Sequence, residues 1–286
     1  MTGILIVDKP AGWTSQDVAA KLRSVFHERR VGHGGTLDPM ATGVLPVFLG
    51  RATRAVPFFE SAEKEYVAEI RFGLTTDTQD LTGSILRERP VSLTREQVET
   101  ALLAMLGPQQ QVPPMYSAVK IGGKKLYELA RQGKEVARAP PQIELRELEL
   151  CSFDEERASF RVLCSKGTYV RTICHDLGES LGCGGAMGSL RRTRAGRYTL
   201  DGAFSMEAIL RGEADILPVD SLFSGYPAIT LNPAEERLCR CGNAVPKVNF
   251  PVGRYRVYTE SGEFLMLGQA ADDLLSTVKS FFEVTP

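Results

Sequence analysis

The chain has 286 residues, 43% of them hydrophobic and 24% charged, and a formal net charge of −1. That composition is an ordinary folded protein, long enough for one large and one small domain, and the charge excludes a uniformly basic nucleic-acid binder. No run approaches the roughly 18 apolar residues of a membrane helix, and the N-terminal apolar run is too short for a signal peptide; the expected location is cytoplasmic.

In chain order, Lys9-Pro10-Ala11-Gly12-Trp13-Thr14-Ser15 leads into the first predicted helix. Thr14 or Ser15 caps it, Val18, Leu22, Val25 and Phe26 form its apolar stripe, and it runs to about His27. The run from Gly32 to Pro46 follows, with a single carboxylate, Asp38, among glycines, small hydroxyls and prolines. Glycines 32, 34 and 35 permit close approach to the main chain, and Pro39 pushes Asp38 out of the helical region. The carboxylate is therefore presented by a shaped loop. Residues 64–73 alternate, with Tyr66, Ala68, Ile70 and Phe72 on one face, and read as a strand.

Thr94-Arg95-Glu96-Gln97 is a capping box, and the helix it opens carries Val98, Leu102 and Met105 before a Gly107-Pro108 stop. Residues 112–140 lack a clean period and are rich in proline, glycine and lysine, the mark of a functional or mobile insertion. Residues 143–153 and 158–164 read as paired strands around an acidic turn. Thr168 then caps a helix with Val170, Ile173, Leu177 and Leu181 on one face, ended by Gly182. Beyond Pro218 the pattern changes to a strand at 228–231, a helix from Asn232 to near Gly242, and strands at 255–258, 264–267 and 278–282. A boundary near 222 thus divides domain 1–221, with its 112–140 insertion, from a small β-rich domain at 222–286. Strands mixed with isolated helices, without βαβ alternation, predict an α+β fold with a mixed, mainly antiparallel central sheet.

Six scattered cysteines form no C-x-x-C pair, and the three histidines are not spaced as zinc ligands beside them; the thiols read as reduced core residues and no metal site is expected. Charge is segregated: residues 21–33 carry +3, 113–140 carry +4 and 186–200 carry +4, leaving −12 for the remainder. Each cluster alone reads as a solvated face; three together point to a polyanion site.

Four segments carry a resemblance: Lys9–Ser15, Gly32–Pro46, Pro113-Pro114-Met115-Tyr116-Ser117-Ala118-Val119-Lys120, and Cys164-Ser165-Lys166-Gly167-Thr168-Tyr169-Val170-Arg171. In this order, over roughly the first 200 residues, they resemble the motifs of the TruB family of tRNA pseudouridine synthases. The resemblance implies the pseudouridine synthase fold, with 222–286 in the place of the family's RNA-binding PUA domain. It implies isomerisation of uridine at position 55 in the T loop of tRNA, with Asp38 as the essential group and Arg171 as its partner. Tyr66 is implied to stack on the base and help remove the C5 proton, although its strand phase alone gives a plain core tyrosine. His33 is implied to fill the gap left by the flipped nucleotide. The insertion resembles the family's loop that closes over the T arm, with Lys120, Lys124, Lys125, Tyr127 and Arg131 on RNA; Lys9, Arg191 and Arg192 are assigned to RNA with them. Residues 126–130 read equally as a short amphipathic helix docked on the core.

The reaction breaks the N1–C1′ bond, turns the base and rejoins it through C5. Net mass is unchanged and no redox equivalent is consumed, so no cofactor is expected. A carboxylate that stays ionised in a pocket dry enough for a base needs a cation to offset its desolvation, and a guanidinium can hold it bidentately. Addition at C6, attack at C1′ and removal of a C2′ proton remain open. The expected partner is tRNA, with no membrane and no obligate protein partner. Three other readings compete, and the first, a phosphate-binding Gly-loop enzyme, is disfavoured because the 32–46 loop lacks the lysine such sites use. The insertion argues against a guide-RNA-dependent synthase, and the set Asp38, Tyr66 and Arg171 argues against a non-catalytic RNA-binding or tRNA-folding protein.

Overall fold

A computed structural model describes residues 1–247 and 250–283. Among the described residues ten strands form the main sheet. Its path runs Phe204–Ser205, Gly3–Lys9, Thr42–Leu49, Gly185–Ala195, Lys64–Phe72, Arg157–Cys164, Gln142–Asp154, Gly107–Gln110. Val31–His33 and Tyr198–Thr199 pair off this path. Phe204–Ser205 with Gly3–Lys9, and Gly185–Ala195 with Thr42–Leu49, are parallel; the other pairs of this sheet are antiparallel. The mixed, mainly antiparallel sheet expected from the sequence is present.

Local pattern explains the strands. In Lys64–Phe72 every second residue is buried, which is how a strand with one covered face must read. Within Gly3–Lys9 the run from Gly3 to Val7 is apolar because both faces are covered. Ile4 and Ile6 pack with Val44, Phe48 and Phe59, while Leu5 and Val7 pack with Val18, Leu22 and Leu45. Helix Ser15–Val25 starts at a Thr14/Asp17 capping box and stops short of the predicted His27, whose φ of 49° is left-handed. Helix Arg95–Leu103 has its Thr94/Gln97 box and buries Val98 and Leu102 over Ile70, Phe72 and Phe160.

Two predictions need correction. Thr168 does not cap helix Val170–Ser180; its hydroxyl donates to the Ser165 carbonyl at 3.0 Å. Gln111 reaches in instead, its Oε1 accepting from Tyr169 N–H at 2.7 Å. The last strand is Leu274–Ser280, four residues earlier at its start than the predicted 278. Asp272 and Asp273 both take left-handed φ, 52° and 56°, and turn the chain so that Ala271 faces Leu274. Such a two-residue hairpin normally shows Asn-Gly or Asp-Gly, so two acids conceal it.

The second sheet has the order Ala228–Leu231, Gly253–Thr259, Phe264–Ala271, Leu274–Ser280, Val245–Pro246. Helix Pro233–Arg240, opened by an Asn232/Glu235 box, packs on it. The chain passes from one sheet to the other through the turn Val219–Phe223. Phe223 meets Phe58 edge-on at 5.5 Å and lies 5.8 Å from Phe281, so Leu267 and Phe281 share a core with Phe48 and Phe59. Four of the six cysteines are buried and all six are free thiols. Among the described residues no helix is long and apolar enough to cross a membrane.

Candidate active site

The Asp38 loop is tied down from two sides. Gly34 N–H donates to Pro46 O at 2.8 Å and Ala41 N–H to Asp38 O at 3.0 Å, closing the loop on itself. The Lys9–Ser15 segment holds it from below: Ser15 Oγ accepts from Leu37 N–H at 2.9 Å, and Gly12 N–H donates to Pro39 O at 2.8 Å. Lys9 is fully buried, and its ammonium donates to the carbonyls of Pro10, Trp13 and Pro39 at 2.8, 2.5 and 3.2 Å. This corrects the assignment of Lys9 to RNA: its charge is consumed inside the protein. Desolvation lowers its pKa to about 8, with Asp38 pulling the other way.

Arg171 comes to Asp38 from 133 positions away. Nη2 donates to Oδ1 at 3.3 Å, and Nε lies 2.9 Å from Oδ2 without hydrogen-bond geometry. The pair is thus side-on, with one formed hydrogen bond, rather than the bidentate fork expected. The same guanidinium donates to Thr78 O at 3.1 Å and Tyr116 O at 2.9 Å, and Asp80 Oδ2 sits 3.8 Å from Nη1. The Arg171 side chain is 5% exposed and that of Asp38 is 35% exposed, so the acid opens towards solvent while its partner does not. Burial raises the Asp38 pKa, Arg171 opposes the rise, and Asp80 adds to it.

Sequence reasoning missed Asp80. It is 5% exposed and organises its own turn, accepting from Thr78 and Thr82 hydroxyls at 2.8 and 2.5 Å. The signal was present in Thr75-Thr76-Asp77-Thr78-Gln79-Asp80-Leu81-Thr82-Gly83-Ser84, a dense run of turn-forming side chains. Gln111 was missed too, and nothing local announces that it caps a helix 58 residues on.

Tyr66 is 8% exposed and clusters with Leu37, Ala41 and Leu190 beside the loop. Arg192 stands directly across from it on the neighbouring antiparallel strand. Burial raises the phenol's pKa and Arg192 opposes that rise. Arg192 is only 1% exposed, with Nε donating to Val44 O at 2.6 Å and Nη2 to Gly35 O at 3.3 Å, so it cannot reach an RNA backbone. This corrects its assignment to RNA. His33 is half-buried on the strand Val31–His33, and its Nδ1 has no partner. Burial, then Arg192, push its pKa down and favour the neutral ring.

Arg191 stays at the surface, paired with Asp8 at 2.8 Å. Arg197 is committed to the Ser221 carbonyl and the Ser224 hydroxyl. The 186–200 cluster therefore presents fewer free cations than its charge suggests. In the insertion, Lys120–Ile121 and Lys124–Lys125 form a hairpin over Gly122-Gly123, both with positive φ. Lys120, Lys124 and Arg131 are exposed. Tyr127 has Lys125 at 5.4 Å and Arg131 at 5.5 Å from its ring. Helix Leu126–Ala130 anchors this unit by the fully buried Leu126. Docking helix and exposed basic–aromatic face coexist. Among the described residues no group of three or more His, Cys, Asp or Glu is arranged to hold a metal ion.

Comparison with known proteins bears on the family of the chain. Residues 23–170 match the N-terminal domain model of TruB family pseudouridylate synthases, and 171–224 match the tRNA pseudouridylate synthase B C-terminal domain model. The tRNA pseudouridine synthase B of Syntrophomonas wolfei is 44% identical over 280 residues, 94% of each chain. That of Clostridium kluyveri is 38% identical, over 98% of this chain and all of its own. Among solved structures, a chain of a Cbf5–Nop10–Gar1 complex superposes with a TM-score of 0.73 at 23% identity, covering 99% of this chain and 85% of its own, which shows a shared fold. Family models spanning most of the chain, and relatives this similar along nearly its whole length, place it by descent: the chain belongs to the TruB family of pseudouridylate synthases.

Proposed function

We propose that this chain isomerises uridine to pseudouridine at position 55 in the T loop of tRNA, with Asp38 as the essential catalytic group. The observation that carries the reading is the Asp38 carboxylate, open to solvent on one side and held by the buried Arg171 on the other, with Tyr66 in one buried cluster with Leu37 and Ala41 of the same loop. A stacked base cannot reach such a group, so the uridine must be extruded. Asp38 then lies against the sugar–base junction while the N1–C1′ bond breaks and the C5–C1′ bond forms. The C5 proton leaves, with Tyr66 as the group that takes it, and N1 gains one. Atoms and charge balance without redox equivalents, so the reaction needs no cofactor.

Around this centre, His33 fills the gap in the stack as a neutral ring. Lys120, Lys124, Lys125, Tyr127 and Arg131 contact the T arm, and Arg191 lines the same groove. Residues 1–221 form the catalytic domain and 222–286 a PUA-like domain. An enzyme with its own closing loop acts on tRNA in the cytoplasm without a guide RNA or an obligate protein partner. The test uses unmodified tRNA labelled with tritium at uridine C5. The protein alone releases label to water, and the Asp38→Asn variant releases none. Binding without release by the wild type would reject catalysis, and release only with added RNA would reject the stand-alone reading.

A further inference from the structure

We infer that Arg192 is a positioning residue for the isomerisation, holding the Tyr66 phenol and the Gly35 turn of the Asp38 loop as one unit. The inference rests on the role proposed above for Tyr66 and deepens it. Among the described residues Arg192 heads the fully buried side chains by volume, and burying a guanidinium without an acid beside it is expensive. Its hydrogen-bonded partners are nevertheless neutral, the carbonyls of Val44 and Gly35. Three basic groups also feel its charge: burial pushes Lys9, Lys64 and His33 towards their neutral forms, and Arg192 adds to that push. Two carbonyls satisfy the donors of the guanidinium but leave its charge without a compensating anion.

The unmet complement is an anion at Tyr66. Register puts Arg192 directly opposite Tyr66, the closest cross-strand placement a sheet offers. Two other groups bear on the phenol: Cys164 and the Asp38 carboxylate, both of which disfavour its ionisation. Arg192 works against both and against burial. Rejoining the base through C5 leaves a surplus proton on that carbon. An ionised Tyr66 takes it, the C–H electron pair restores the C5–C6 double bond, and the phenol later yields the proton to water. The guanidinium stabilises that phenolate. Through Gly35 O it also fixes the distance between the phenol and the Asp38 loop.

The test is the single-turnover release of tritium from C5 by wild type, Arg192→Lys and Arg192→Met, followed from neutral to alkaline pH, with tRNA affinity and thermal melting measured alongside. Arg192→Met is expected to release label about 100-fold more slowly at neutral pH, the scale of lost general-base catalysis. Its rate should climb at higher pH than the wild type's, while tRNA affinity stays within about 2-fold. Arg192→Lys should bring the rising limb part of the way back. A slower rate with an unmoved pH profile would overturn the inference in favour of packing alone. A weaker, less salt-dependent tRNA affinity would overturn it in favour of a phosphate contact. If Arg192→Met does not fold, the comparison of Arg192→Lys in wild-type and Tyr66→Phe backgrounds decides. The lysine's effect should vanish without the phenol, and an equal loss in both backgrounds rejects the coupling. Absence of any release by wild type would instead reject the proposed function.

Discussion

Arg171 meets Asp38, Asp80, Thr78 O and Tyr116 O with one planar group. A lysine has a single point of charge and cannot face all four, so Arg171→Lys should leave the acid misplaced. Its kcat should fall by roughly 100-fold with KM little changed, read from tritium release under saturating tRNA. The raised Asp38 pKa gives a second expectation. The carboxylate must be ionised, so activity is lost as pH falls through a value above the usual aspartate range. Asp80 contributes to that rise, and Asp80→Asn should move the acid limb of the rate profile to lower pH; an unmoved limb would show that Asp80 acts by geometry alone. Lys9 behaves oppositely. Its folded pKa of about 8 lies below the unfolded 10.5, so between those values the unfolded chain holds a proton that the folded one has released. Stability then rises with pH. Wild type should gain on Lys9→Met as pH climbs from about 8 to 10.5, measured as the difference between two urea-unfolding series.

Elements divide by how local their causes are, and that division sets what the sequence could reveal. The helices at 15, 95 and 233 begin at capping boxes whose partners lie three residues apart, and each was readable. The 170 helix was placed correctly but its cap was misassigned, because Gln111 arrives from another element. The same logic explains the site. Asp38 was legible from its unusual loop, whereas the burial of Lys9 and Arg192 depends on carbonyls that only the folded chain brings together. Gly43 shows a further nonlocal constraint. It has φ 104°, and a Cβ there would run into the main chain of Arg192. Gly107 has φ 99° with open space around it. Gly43→Ala should therefore destabilise by about 3 kcal/mol or more, and Gly107→Ala by about 1 kcal/mol, in denaturant melts. In the insertion, removing Lys124 or Lys125 should each lower the log–log salt slope of tRNA binding by about 1. An unchanged slope would remove that hairpin from the RNA contact.

At the scale of the whole molecule, the two sheets meet in one aromatic cluster rather than across a linker. Phe264 and Phe281 stack at 5.3 Å, Phe223 joins both, and Phe59 lies 5.9 Å from Phe48 in the same core. Arg54 adds a hydrogen bond to Ser280 O at 3.0 Å. Phe59 also lies where a side chain at Gly34 would have to go, so this core reaches the base of the Asp38 loop. A cluster shared in this way couples the unfolding of both parts. Phe281→Ala should remove about 3–5 kcal/mol and lower the melting temperature by about 10 °C in a single calorimetric transition. The loss reaches the loop through Phe59, so tritium release should also decline in the variant at temperatures well below its melting point. Two transitions, of which only one moves, would show instead that the second sheet is an independently folding unit and that the Asp38 loop owes it no support.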